Sequence, residues 1–401
     1  MRILQIHNKL PYPPKDGGSI AIWNLSKELD AIQNSVTLLA MNTKKHYFRA
    51  EDIPEKDKAG IKIHAVDVEA PVNFAGLVSN LMFSTQPYNA VRFIDKVFKN
   101  ELIEILKNNV FDVVQLEGLY VTPYIPVIRK YSGGLIAYRA HNVEHEIWNR
   151  VRANESSLYK RKYLNILVRR LRNFEIKWIN QADVVLPITL RDGSEFRTLG
   201  CNKPMHVCPA AINLSEVIPK PKVTEYPSLF YIGALDWAPN QEGLVWFFEN
   251  LWHKVCENFP DIKLHIAGRN CPDWLRTVIS QQGVEFLGEI EDAYSFMNRY
   301  SVMIAPIFSG SGMRVKVIEG MALGKTIITT TIGTEGIDTT NLQNILIADK
   351  AEEYFQHISN AITNKVMCDK ISKNAMEFIR KNYDIKIISK NLIRFYEQHA
   401  N

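Results

Sequence analysis

Short apolar runs alternate with helix-like segments along this chain in two successive series, separated by the proline-rich stretch 215–227 (SEVIPKPKVTEYP). Strands joined by helical crossovers pair in parallel, and parallel strands covered on both faces read as unbroken apolar runs. The first series predicts strands at 2–7, 36–41, 61–66, 111–117, 135–141, 183–189 and 205–209, with an amphipathic helix over 20–29. The second predicts strands at 229–235, 263–268, 284–288, 302–307, 326–330 and 345–349. Residues 73–89 fit neither pattern and read as a mobile insertion. The expected fold class is α/β, with a doubly wound domain over 1–214, a linker, a second over 228–380, and a C-terminal helix over 381–401 packing back on the first. Ligands bind outside the carboxyl ends of such sheets, so the expected site is a cleft between the domains.

Composition removes several function classes. With 46% hydrophobic and 23% charged residues in 401, the chain reads as globular. No apolar run reaches the roughly 18 to 20 residues of a membrane-spanning helix, and the N-terminus (MRILQIHNKL) enters a strand directly, so a cytoplasmic protein is expected. The net charge of +5 is mild for this length and does not call for nucleic acid. Cys201, Cys208, Cys256, Cys271 and Cys368 are odd in number and show no Cys-x-x-Cys spacing, which argues against a disulfide framework or a zinc site. No Asp-x-Asp motif or ligand cluster accompanies the segments discussed next, so no metal and no cofactor is expected.

The segment 308–325 (FSGSGMRVKVIEGMALGK) carries the strongest chemical signal. It follows an apolar strand, turns on small residues and enters a helix, which presents free N–H groups and the positive end of the helix dipole to an anion. Arg314 and Lys316 add charge to the backbone of Gly312, Met313 and Val315, and Glu319 lies within reach of a ribose hydroxyl. The plainer alternative is an ordinary strand-to-helix turn with two solvated cations. Gly-x-Gly-x-x-Gly is missing after the first strand, where His7-Asn8-Lys9-Leu10-Pro11 stands, so a nicotinamide dehydrogenase is disfavoured. Gly324-Lys325-Thr326 ends a helix and enters a strand, the reverse of a Walker loop.

Several elements in order resemble the retaining nucleotide-sugar glycosyltransferases of family 4. They are the Asp16-Gly17-Gly18 loop, the AHN element around His141, ADVVLPIT from Ala182, VEFLGEIED from Val284, SGSGMRVKVIEGMALGKTIITT, and GTEGI from Gly333. The resemblance spans nearly the whole chain, most weakly at 42–90. It implies the GT-B architecture of two Rossmann-like domains facing across a cleft, a nucleotide-sugar donor, a glycan or lipid-linked acceptor, and retention of anomeric configuration without a covalent nucleophile.

By the same resemblance, Glu319 holds the nucleotide ribose as the second acid of the family's Glu-x7-Glu motif, and Ser311 stands where the first acid, which touches the donor sugar, is usual. His141 would hydrogen-bond the transferred sugar, the alternative being a purely structural histidine. Gly288 and Ile290 would read the base, unless EFLGEIED is a plain strand-to-helix turn. The family's usual Arg and Lys after the first strand of domain two are replaced by Gly233-Ala234-Leu235-Asp236-Trp237-Ala238-Pro239-Asn240. Arg314 and Lys316 are therefore expected to carry the diphosphate, Arg314 foremost because a guanidinium suits bidentate contact. Asp236 and Asn240 would line the cleft, or Asn240 would only cap a helix starting at Gln241. Gly17 and Gly18 would offer N–H groups to an anion or the acceptor. Glu144 and Glu146 read as helix surface rather than as an acid/base pair.

The segment 159–172 (YKRKYLNILVRRLR) has six basic residues and no acid. It reads as a peripheral contact with anionic lipid at the inner membrane face, or as a solvated helix face. Two rival functions accompany the transferase reading. One is a hydrolysing nucleotide-sugar epimerase, which would need an acid cluster that is not evident. The other is a non-catalytic nucleotide-sugar binder, raised by Ser311 and the missing Arg/Lys pair.

Overall fold

A computed structural model describes residues 1–400 apart from Lys15 and Ser311. The chain forms two compact units, Met1–Ala210 with Ile388–Asn401, and Ala211–Ile387. In the first, β1 (Arg2–His7), β2 (Ser35–Thr43), β3 (Lys62–Val68), β4 (Val113–Glu117), β5 (Leu135–Ala140) and β6 (Val184–Pro187) form a parallel sheet of order β3-β2-β1-β4-β5-β6. In the second, β7 (Glu225–Ile232), β8 (Leu264–Ala267), β9 (Val284–Gly288), β10 (Tyr300–Ala305), β11 (Thr326–Thr329) and β12 (Leu346–Ile347) repeat that order as β12-β11-β10-β7-β8-β9. Both are doubly wound, with the winding direction reversing between β1 and β4 and between β7 and β10. Every residue of β4, β5, β6, β8 and β11 is buried, which explains their mainly apolar character, with Gln115, Glu117, Arg139 and His265 as buried polar exceptions.

Three sequence expectations need revision. Residues 205–209 form no strand beyond a single bridge between Val185 and Met205; Pro204, just before the run, and Pro209, its last residue, lack the N–H a ladder needs. Residues 73–89 are not structureless: Asn73 caps a helix, Phe74–Phe83, and a short turn follows at Tyr88–Val91. The stretch 215–227 does not stand apart as a linker. It counts with the second unit, contains one tight turn at Pro221–Val223, and already supplies the start of β7. At the C-terminus a helix spans Ile385–His399, and from Ile388 onward it belongs to the first unit, where Tyr396 is fully buried and donates its hydroxyl to Gln115 Oε1 at 2.6 Å.

Each unit has its own core. That of the first gathers Leu4, Leu116, Ile136 and Leu171, and that of the second Leu229, Leu264, Ile304 and Tyr354. Glycine is required where the helix Ala238–Phe247 meets the loop after β10. A Cβ on Gly243 would lie 1.6 Å from the Pro306 carbonyl oxygen.

Candidate functional site

The second unit's reversal point lies between β7 and β10, and polar groups converge at the carboxyl end of β7. Lys316, near the start of the helix Val315–Ala322, donates from Nζ to Asn240 Oδ1 at 3.0 Å, the Ile232 carbonyl at 3.2 Å and Tyr231 Oη at 3.4 Å. Its ammonium also lies 4.5 Å from the centroid of the Tyr231 ring. Burial, assisted by the charge of Arg314, brings this amine down to about 7. Asn240 returns a hydrogen bond from Nδ2 to the Ala234 carbonyl at 2.8 Å. A Cβ on Gly233 would stand 2.9 Å from Asn240 Nδ2, 3.0 Å from Lys316 Nζ and 3.1 Å from Tyr231 Oη. The bare backbone at Gly233 is what lets these groups meet.

The loop before this helix is shaped by Gly310 and Gly312, at φ 89° and 83°. Arg314 occupies the helix N-cap and is only 5% exposed. Its guanidinium donates to the Gly312 carbonyl at 2.8 Å and the Ser309 carbonyl at 3.3 Å and lies 5.3 Å from the Trp237 ring centroid, so it braces the loop that carries it. Met313 and Gly312 are half-buried and Val315 is buried, while the expectation for Ser311 falls outside the described residues. Glu319 accepts the Tyr294 hydroxyl at 2.9 Å. Burial lifts its carboxyl to about 7 against that hydrogen bond.

The remaining second-unit candidates are more dispersed. Asp236 is exposed and accepts Asn270 Nδ2 at 3.0 Å. Gly288 ends β9 at φ 72°, and Ile290 just beyond is half-buried. The helix near Asn240 begins at Ala238 with Trp237 at its N-cap, so Asn240 lies within the first turn and is not the cap. Among the described residues no three His, Cys, Asp or Glu side chains converge as metal ligands would.

A second polar cluster lies at the first unit's reversal point. Strand register puts His7 beside Glu117 and Glu117 beside Arg139, and His141 follows β5 directly. Glu117 is 2% exposed and receives hydrogen bonds from His141 Nε2, Arg139 Nη1 and Gln115 Nε2. Burial opposes its charge, yet the Arg139 guanidinium and the His141 hydrogen bond hold it well below the usual carboxylate range. His7 is 1% exposed with no hydrogen-bond partner on either ring nitrogen, and burial lowers it to about 4 despite Glu117.

Glu144 does not lie on an open helix surface. It accepts the Tyr120 hydroxyl at 2.8 Å, and burial raises it to about 7 against that bond, with Glu175 adding to the rise. Glu175 accepts the backbone N–H groups of Glu144 and His145, closing the start of the helix Glu144–Asn154, while Glu146 pairs with Arg191. Gly17 and Gly18 form the first turn of the helix Gly17–Ala31, where Asp16 accepts Ser19 N at 2.9 Å and Lys9 Nζ at 2.8 Å. A cavity of about 850 Å³ opens past β1, β2 and β3, with Lys9, Asn42, Asp67, Val72, Arg92 and Phe93 in its wall.

Sequence reasoning missed Tyr231, Tyr294, His7, Glu117 and Arg139. The last three had a signal, since each is a polar residue closing or nearly closing an apolar strand.

Residues 226–364 match the family described as glycosyl transferases group 1. A Klebsiella pneumoniae protein described as an uncharacterized 44.6 kDa protein in the cps region is 23% identical over 98% of this chain and 99% of its own length. Among solved structures, sucrose-phosphate synthase from Thermosynechococcus elongatus superposes with a TM-score of 0.72 at 14% identity, covering 99% of each chain. HepE of Anabaena, in complex with UDP, gives 0.69 at 11% identity over 99% of this chain and 100% of its own. The chain therefore has the GT-B fold of two Rossmann-like units, and the greater part of its second unit carries the sequence pattern of the group 1 glycosyl transferases.

Proposed function

We propose that the protein transfers a sugar from a nucleotide diphosphate donor to a glycan or lipid-linked acceptor, with retention of configuration at the anomeric carbon. The observation that carries this reading is the convergence of Lys316, Asn240 and Tyr231 over the bare Gly233 backbone, beside a helix start and at a sheet's reversal point. It is supported by the fold shared with HepE, whose structure holds UDP. Transfer breaks the bond between the anomeric carbon and the β-phosphate oxygen and forms one to the acceptor oxygen. The acceptor's proton passes to the departing phosphate. Negative charge grows on the diphosphate as the bond breaks, and Lys316 with the first N–H groups of its helix stabilises it. Arg314 holds the loop, Glu319 takes the ribose hydroxyls, the backbone past Gly288 and Ile290 meets the base, and Asp236 borders the donor.

His141 serves the transferred sugar. With Nε2 committed to Glu117, Nδ1 is the ring nitrogen left for a sugar hydroxyl. The cavity beyond β1–β3 takes the acceptor, and Gly17 and Gly18 offer N–H groups at the start of their helix. The described residues include no helix long and apolar enough to cross a membrane, and the basic segment 159–172 contacts anionic lipid peripherally. The test is thermal stabilisation by UDP, GDP and their sugars, followed by nucleotide release with and without acceptor. Saturating diphosphate at about a hundred times Kd stabilises by roughly 2.7 kcal/mol. Absence of stabilisation by every diphosphate would refute the reading, and acceptor-independent loss of the sugar as the sole reaction would favour the epimerase or a hydrolase.

A further inference from the structure

The helix Phe74–Phe83 departs from the pattern of the longer helices of the first unit, which each bury at least one side chain. From residue 70 to residue 91 the sequence has no Asp, Glu, Lys or Arg, yet none of this helix's described side chains is buried. Leu77, Val78 and Leu81 are half-buried, whereas Met82 is 69% and Phe83 82% exposed, with Val72 just upstream at 72%. A helix this apolar normally covers its apolar face with protein.

Its position is nevertheless fixed at both ends. Asn73 Oδ1 accepts Gly76 N at 2.6 Å, and the Tyr88 hydroxyl accepts Asn73 N at 3.3 Å while donating to the Pro71 carbonyl at 3.2 Å. At the far end Arg170 donates to the Asn80 carbonyl at 3.3 Å and the Leu81 carbonyl at 3.0 Å, a cation placed on a helix C-terminus. Arg170 belongs to the helix Leu158–Ile179, which exposes Lys160, Arg161, Lys162, Arg169 and Arg172 together with Tyr159. No acid occurs between residues 156 and 174, and Glu175 is fully buried against His145. An uncharged apolar helix is thus bolted to one whose exposed ionic side chains are all cationic.

We propose that the helix Phe74–Phe83 and the exposed basic face of the helix Leu158–Ile179 form one surface that docks on an anionic lipid bilayer. Met82 and Phe83 enter the acyl boundary while the cations meet headgroup phosphates. This rests on the peripheral lipid contact proposed above and adds the element that inserts. A bilayer fits the charge pattern because it pairs a sheet of phosphates with an apolar layer directly beneath, matching cations and apolar tips on adjoining helices. Residues 70–72, which lead into the apolar helix, also line the 850 Å³ cavity. Docking would therefore bring that cavity's wall to the headgroup layer, where a lipid-linked acceptor presents its polar end.

Flotation of the full chain with phosphatidylcholine vesicles, with and without phosphatidylserine, tests the proposal. Wild type is expected to float with the anionic vesicles, less so at high salt, and weakly with phosphatidylcholine alone. Met82→Ser with Phe83→Ser should weaken binding roughly tenfold or more, and replacing Lys160, Arg161 and Lys162 by Ser should remove most of the salt dependence. In Phe83→Trp the emission should shift to the blue on vesicles and be quenched by brominated acyl chains. No flotation at low salt, an unaltered affinity in the double serine variant, or unquenched Trp emission on bound vesicles would overturn it. So would a wild-type dimer that ignores vesicles and splits in the double variant, since the face would then belong to a second copy. UDP stabilisation without vesicles tests the donor site separately, and these variants should retain it.

Discussion

Lys316 is an ammonium held among neutral partners, and its protonation is balanced near the pH at which the protein would work. It carries its charge below about 7 and loses it above, so affinity for a nucleoside diphosphate should fall as pH rises from 6 to 8.5. Lys316→Met should weaken that affinity roughly tenfold or more and flatten the pH dependence, both readable by calorimetric titration. His7 makes a different prediction, about stability. The unfolded chain protonates it near 6.5 and the folded one only near 4, so between those values the unfolded state binds the extra proton and stability rises with pH. Acidification from pH 6.5 to 5 should cost about 2 kcal/mol through this residue, and urea titrations of His7→Leu should show a shallower loss over the same window. Neither behaviour was legible in the sequence. Lys316 was visible as a cation after a glycine turn, but Tyr231 and Asn240 reach it only through the pairing of β7 with β10, which is non-local. His141 was visible after an apolar strand, while its carboxylate partner comes from the neighbouring one.

At the scale of elements, strands were easy to read where burial on both faces left a mostly apolar run, as in β1, which is buried beyond Arg2 and whose bounds matched; the bounds of β9 matched too, although its residues are only half-buried or exposed. Periodicity failed where that logic did not hold. Residues 205–209 are mostly apolar but follow Pro204 and end in Pro209, and the helix Phe74–Phe83 has no polar face to mark its period. The contact of the helix Ala238–Phe247 with the loop after β10 depends on one missing methyl group. Gly243→Ala would push a Cβ into the Pro306 backbone, which cannot rotate away. It should destabilise by about 3 kcal/mol and weaken diphosphate binding by displacing Asn240, as a melting curve with and without UDP would show.

Taken whole, the chain repeats one winding order twice, and the composition of its apolar runs announced that duplication. The first unit is assembled from two distant stretches, the later being the greater part of the C-terminal helix. Leu392 and Tyr396 are fully buried, and Tyr396 bonds Gln115 in β4. A chain ending at Ile387 should therefore keep the second unit's cooperative melting while the first loosens, detectable as protease cleavage confined to residues 1–210. Tyr396→Phe is the milder version and should cost about 1 to 3 kcal/mol by stripping a buried acceptor of its donor.

That divided make-up sets an order of events during translation. Domains generally fold as they emerge, the earlier before the later. Here the unit begun first must wait for residues 388–400, which are translated after all of Ala211–Ile387. The segment encoded in the middle is the one able to finish on the ribosome, and the nascent opening segment spends that interval with its final apolar layer still unmade.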